Sequence, residues 1–220
     1  LSPLKSMLET TRGWTSENFG TVTGSEYFLN VFALFLIFAG IILDKMGVRF
    51  TAILSALVML TGAAIKYYAL TDAFTGSGLE TWLNSWWVTL PASAKLASLG
   101  FMIFGCGVEM AGVTVSKGIV KWFKGKEMAL AMGVEMAIAR LGVFAVFRIS
   151  PRIAESTANV STSVLLCMIL LIVGLLAFSV YFFFDRKLER QMGESGEEPE
   201  EEFKVSDLGK LFTSKAFLLV

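Results

Sequence analysis

The sequence predicts an all-α protein that crosses a membrane several times, on three observations. Of its 220 residues, 55% are hydrophobic and only 17% are charged, against about 25% charged in an ordinary soluble domain. Mean hydropathy is +0.65. The apolar surplus is gathered into runs of roughly 20 residues, the length of helix that crosses a hydrocarbon core about 30 Å thick. Helices are the form expected, because an isolated strand leaves its backbone polar groups unsatisfied in lipid.

Taken in order, hydropathy places spans at 25–43, 51–70, 96–116, 128–147 and 163–184. Short segments rich in Lys and Arg mark the cytoplasmic side. They carry Lys45 and Arg49 after the first span, Lys117, Lys121, Lys124 and Lys126 after the third, and Arg186, Lys187 and Arg190 after the fifth. Residues 1–24, 71–95 and 150–162 then face outward, with Lys5, Arg12, Lys66, Lys95 and Arg152 spread through that side. Trp82, Trp86 and Trp87 in the second outward segment suit the membrane–water boundary. Asn159-Val160-Ser161 is a glycosylation sequon, meaningful only in a eukaryotic secretory setting. Arg148, near the outer surface, is expected to snorkel.

Beyond residue 184 the character changes. Residues 194–202 are mostly glutamate with Gly196 and Pro199, which reads as a solvated linker. In 203–212, Val205, Leu208, Leu211 and Phe212 share one helical face, which suggests a short helix lying on the membrane surface. The start at Leu1 and the apolar run 216–220 read as the edges of an internal piece of a longer protein.

Several functions are disfavoured. A net charge of +0 leaves no electrostatic footprint for nucleic acid, and the absence of histidine removes His-based metal sites and general bases. Cys106 and Cys167 lie far apart in apolar segments, as packing thiols do. No metal-ligand cluster, cofactor motif or paired nucleophile and base is present to suggest an enzyme.

The turn after the first span reads Gly40-Ile41-Ile42-Leu43-Asp44-Lys45-Met46-Gly47-Val48-Arg49. Gly40 permits close approach of a neighbouring helix. Asp44 sits where it can accept hydrogen bonds from a basic group or a helix N-terminus, and Gly47 permits a tight reversal. An ordinary helical hairpin turn would also accommodate these residues. The turn resembles the signature between helices 2 and 3 of the major facilitator superfamily, roughly G-x-x-x-D-[RK]-x-G-[RK]-[RK]. Gly40, Asp44, Lys45, Gly47 and Arg49 match it, and Val48 replaces one basic residue. The resemblance implies helices 2–6 of a twelve-helix parent: an N-terminal bundle over 1–184 lacking helix 1, a central linker over 185–215, and the start of helix 7 at 216–220. It also implies that the matching residues form a conformational latch, and that a C-terminal bundle of the same chain is the partner.

A second stretch, Lys117-Gly118-Ile119-Val120-Lys121-Trp122-Phe123-Lys124-Gly125-Lys126-Glu127, leads into a helix rich in small residues, with Ala139-Arg140-Leu141-Gly142 further on. It is similar to the branch of that superfamily containing the lysosomal dipeptide transporter and its bacterial relatives. Positive-inside anchoring remains the main role expected of the lysines themselves.

Charges at helix centres cost about 2.5–3.5 kcal/mol on insertion scales and mark cavities or transport paths. Glu109 lies about 12 Å and Arg140 about 20 Å from the cytoplasmic edge, at about 1.5 Å per residue. The offset of about 8 Å suits a small zwitterion, and an internal salt bridge that only steadies packing is the plainer alternative. In the branch resembled, an acid on helix 4 and an arginine on helix 5 bind the peptide termini. The resemblance assigns those roles to Glu109 and Arg140. Glu135 lies about 140° around the helix from Arg140 and cannot share its face. It could couple transport to protons or pair with a basic residue elsewhere; the family typically has Asn there.

The expectation is a secondary active or facilitative transporter working by alternating access, for a dipeptide or similar small zwitterion. An organic anion, sugar or drug carrier is the alternative within the class; a membrane receptor or channel is the alternative outside it. A lipid bilayer and a small-molecule substrate are the implied partners, with no metal and no cofactor. The membrane would be the inner or plasma membrane of a bacterium, or a lysosomal membrane in a eukaryote.

Overall fold

A computed structural model describes residues 2–123 and 125–192. Lys124, the acidic stretch 194–202, the amphipathic stretch 203–212 and the run 216–220 lie outside them. All regular structure among the described residues is helical: α1 (Lys5–Arg12), α2 (Ser16–Gly24), α3 (Phe28–Phe32), α4 (Phe35–Ala69), α5 (Gly78–Asn84), α6 (Ala92–Trp122), α7 (Lys126–Thr157) and α8 (Val160–Met192). Of these, α4, α6, α7 and α8 are long and apolar enough to cross a membrane.

The region 25–43 is segmented. A 3-10 turn at Ser25–Tyr27 is followed by α3, and Leu34 adopts φ 50° before α4 begins. The Ser25 hydroxyl donates to the carbonyls of Val22 and Ser98, at 2.7 and 3.0 Å, and so ties this turn to α6. Within α4, Gly47 is non-helical at φ 76°, ψ 164°. That conformation is nearly closed to residues with a side chain, so Gly47 separates two helical arms of α4, 35–46 and 48–69, at the turn expected between the first two spans. Thr51 donates back to the Gly47 carbonyl at 2.9 Å and restarts the helix beyond the break.

The main interface joins α4 to α6, and small residues make it possible. A Cβ on Gly62 would stand 2.5 Å from the Phe104 amide nitrogen, and one on Gly107 would stand 2.7 Å from that of Met59. Backbones can approach this closely only without side chains. Among the described residues no heavy atom lies within 4 Å of a Cβ built on Gly40. On the next turn of α6, Gly105 meets the Glu26 carbonyl.

The end of the bundle holding the loops at 70–91 is a packed cap. Leu4, Leu8, Trp14, Val22, Leu70, Phe74 and Leu83 are buried together there. Arg12 bonds the Leu70 carbonyl at 2.6 Å and Asp72 at 2.9 Å, and the Trp14 indole donates to Ser93 at 3.0 Å. Trp82 and Trp86 stack edge to face at 4.8 Å, while Trp87 is exposed. Asn159 of the sequon acts as a helix cap: its Oδ1 accepts from the Ser161 amide at 2.9 Å and the Ser161 hydroxyl at 2.8 Å, at the start of α8.

Only the C-terminal part of α7 joins this packing, through buried Ser150 and Ala154. Leu130, Met136, Ile138, Leu141, Phe144 and Phe147 are all exposed on it. Pro151 removes one backbone donor near its end.

Candidate functional site

The residues of the signature turn are brought against two other helices by their charges. Asp44, on the first arm of α4, accepts from the Lys117 ammonium of α6 at 2.9 Å. Both groups stay partly open to solvent. Arg49, just past the Gly47 break, donates from Nε to Asp185 of α8 at 3.1 Å. The break thus separates an acid committed to α6 from a base committed to α8.

Asp185 is the centre of this arrangement. It is 1% exposed, yet its carboxylate oxygens also take Lys121 Nζ at 3.3 Å, Trp122 Nε1 at 3.1 Å and the Tyr181 hydroxyl at 3.2 Å. The Trp122 indole is shared with the Tyr181 oxygen at 3.2 Å. A buried carboxylate is tolerated only when its lone pairs are filled and its charge is matched, and here two cations and two neutral donors do both. Lys117 and Lys121 are therefore more than membrane-edge anchors. Sequence reasoning passed over Asp185 and Tyr181 and read Trp122 only as part of the family resemblance. The available signal was the pair Tyr181 and Asp185 at i, i+4, which lie on one helical face. Lys45, between Asp44 and Gly47, is exposed.

The predicted substrate-binding pair is distributed over two helices. Glu109 is half-buried on α6, and Arg140 is exposed on α7. Among the described residues no ion pair joins them. Glu135 is half-buried on α7. Glu109 lies near enough to Glu26 for their charges to interact.

A cavity of about 580 Å³ opens between α4, α6, α7 and α8. Its wall includes Glu26, Lys66, Phe101, Phe104 and Cys167, but neither Glu109 nor Arg140. Lys66, inside the expected span 51–70 but counted with the outward-side charges, is 7% exposed in α4. Its ammonium lies 4.1 Å from the ring centre of Phe101 and 3.6 Å from that of Phe104. No group of three or more potential metal ligands occurs among the described residues.

Long apolar helices joined at one end by matched charges around a broken signature turn define a multi-pass membrane protein. Residues 1–220 match the Major Facilitator Superfamily, and the chain belongs to that family. Among individual proteins, it is similar to the lysosomal dipeptide transporter MFSD1 of Danio rerio, 27% identical over 189 residues, which are 81% of this chain and 36% of that protein. The Mus musculus protein of the same name is 31% identical over 114 residues, 51% of this chain and 20% of that protein. A more distant similarity, 24% over 117 residues, is to the thiol:disulfide interchange protein DsbD of Neisseria meningitidis serogroup B, covering 52% of this chain and 19% of that protein. The matched region spans about a third or less of each of these relatives. No solved structure matches the chain.

Proposed function

We propose that the chain is the N-terminal half of a twelve-helix transporter, helices 2–6 with the central linker, and that the complete protein moves a dipeptide or similar small zwitterion by alternating access. Glu109 binds the substrate ammonium and Arg140 its carboxylate, between this bundle and a second one. Residues Gly40, Asp44, Lys45, Gly47 and Arg49 work as the latch, and Glu135 is the candidate proton-coupling acid. A bacterial inner or plasma membrane, or a lysosomal membrane in a eukaryote, is the setting proposed.

The observation that carries this reading is the exposed face of α7. Arg140 stands there without an ion-pair partner among the described residues, in a helix whose apolar side chains are also uncovered. A guanidinium at mid-helix depth needs an anion or water to be stable. A substrate carboxylate supplies the anion, and a second bundle supplies the cover. The similarity to the lysosomal dipeptide transporters of Danio rerio and Mus musculus supports a dipeptide as that substrate.

The test is a thermal-shift screen of the complete protein in detergent against dipeptides, free amino acids, sugars and organic anions. A ligand that binds only the folded state raises its stability with concentration. Stabilisation by dipeptides that disappears in Arg140→Ala is the expected result. Stabilisation by sugars or organic anions alone overturns the dipeptide assignment, and dipeptide binding retained in Arg140→Ala overturns the site.

A further inference from the structure

Lys66 presents an electrostatic problem that the residues around it do not solve. Its side chain is more than nine-tenths buried, and it forms no salt bridge within 4.0 Å among the described residues. The stem is fixed: a Cβ on Gly100 would stand 2.8 Å from Lys66 Cγ, so α6 packs directly against it. The ammonium is held over Phe101 and Phe104 and opens on the 580 Å³ cavity.

Magnitudes show what is missing. Two aromatic faces offer a desolvated cation about 2 kcal/mol or somewhat more. The effective cost of burying an ammonium is several kcal/mol. Glu26 lines the same cavity and feels the Lys66 charge, but no ion pair within 4.0 Å joins them. Ser163 and Ser150 also line the wall, but the Ser163 hydroxyl is already committed to the Ser150 carbonyl at 2.7 Å. The cavity falls within the range of about 300–1,000 Å³ typical of small-molecule sites, which are mostly apolar with a few convergent polar groups.

We infer that this cavity is a second ligand subsite, in which Lys66 receives a carboxylate and Glu26 faces the positive end of the same molecule. The separated cation and anion select a net-neutral zwitterion over a simple anion. That last selectivity rests on the function proposed above; capture of a carboxylate by Lys66 does not. The subsite is distinct from the Glu109 and Arg140 pair, neither of which lines it.

Cys167 is a reporter already in the wall. In the complete protein, with every other cysteine replaced, the rate of N-ethylmaleimide labelling of Cys167 is measured with alanyl-alanine, with its C-terminal amide, and with acetate. Alanyl-alanine at about nine times its Kd is expected to slow labelling about tenfold, acetate at that concentration to slow it less, and the amide not at all. Protection should vanish in Lys66→Met and persist in Lys66→Arg, and the acetate protection should persist in Arg140→Ala. Where Lys66→Met does not fold, the wild-type contrast between acid and amide decides. Acetate protection without any dipeptide effect keeps Lys66 as a carboxylate group and discards the zwitterion. Equal labelling with and without carboxylates, or a Cys167 that no reagent reaches because protein fills the cavity, overturns the subsite. Arg140-dependent dipeptide stabilisation in that same protein would leave the function proposed above intact.

Discussion

Arg49 and Asp185 meet at 3.1 Å, joining the residue just beyond the Gly47 break to the end of the last described helix. The acid is almost fully buried while the arginine keeps some solvent contact. The pair, with Lys121, Trp122 and Tyr181, fastens three long helices at one end of the bundle. Asp44 and Lys117 form a separate, wetter contact beside it.

Asp185→Ala should be the most damaging single change at that end. Removing one partner of a buried ion pair costs about 3–5 kcal/mol, because the remaining charges lose their counterion. The detergent-solubilised complete protein should show a clear fall in unfolding temperature, with Asp185→Asn falling less because its amide can still accept hydrogen bonds. Unchanged melting in Asp185→Ala would mean that the carboxylate does not hold the helices together.

Asp44→Asn should leave ligand affinity intact and slow turnover. The Asp44 and Lys117 pair is partly solvated, and such pairs contribute about 1 kcal/mol or less to stability, so the fold should tolerate its loss. Comparison of dipeptide binding with flux in proteoliposomes checks this. Loss of binding along with flux would remove Asp44 from the latch.

Gly47→Ala tests the break itself. The backbone there has φ 76°, ψ 164°, and a side chain in such a region costs about 1–3 kcal/mol. A moderate loss of thermal stability is expected, larger for Gly47→Val. Gly40→Ala serves as the stability control, since no atom of the described residues lies within 4 Å of its added Cβ.

Gly62→Val should disrupt the α4 and α6 interface. Its Cβ would stand 2.5 Å from a backbone nitrogen and 2.6 Å from the Gly100 carbonyl, contacts that only a shift of one helix can relieve. Overpacking of this kind costs about 1–3 kcal/mol or more. Yield of monodisperse protein after size-exclusion chromatography is the readout, and a wild-type yield would place the interface elsewhere.

Much of this protein is written locally. Membrane class follows from apolar runs whose length matches a bilayer, and the family signature from five residues in one turn. Gly47 could be picked out as a reversal because its need for an unusual backbone conformation is intrinsic to the residue. The segmentation at Ser25–Tyr27 and Leu34 was not legible, since hydropathy averages over about 20 residues and the Ser25 hydroxyl finds part of its bonding on α6.

What tertiary structure decided was partnership. Lys66 and Lys117 look alike as basic residues in an apolar chain, yet one is sealed over two phenylalanine rings and the other bonded to Asp44. Asp185, one acid before a basic cluster, becomes a five-residue junction only because the Gly47 break of α4 and the end of α6 lie beside it. Hydrophobic pattern is a property of neighbours in sequence, and it determines which segments leave water. Which charges then satisfy one another depends on how those segments cross, and the crossing is set by small residues such as Gly62 and Gly107 that let backbones touch.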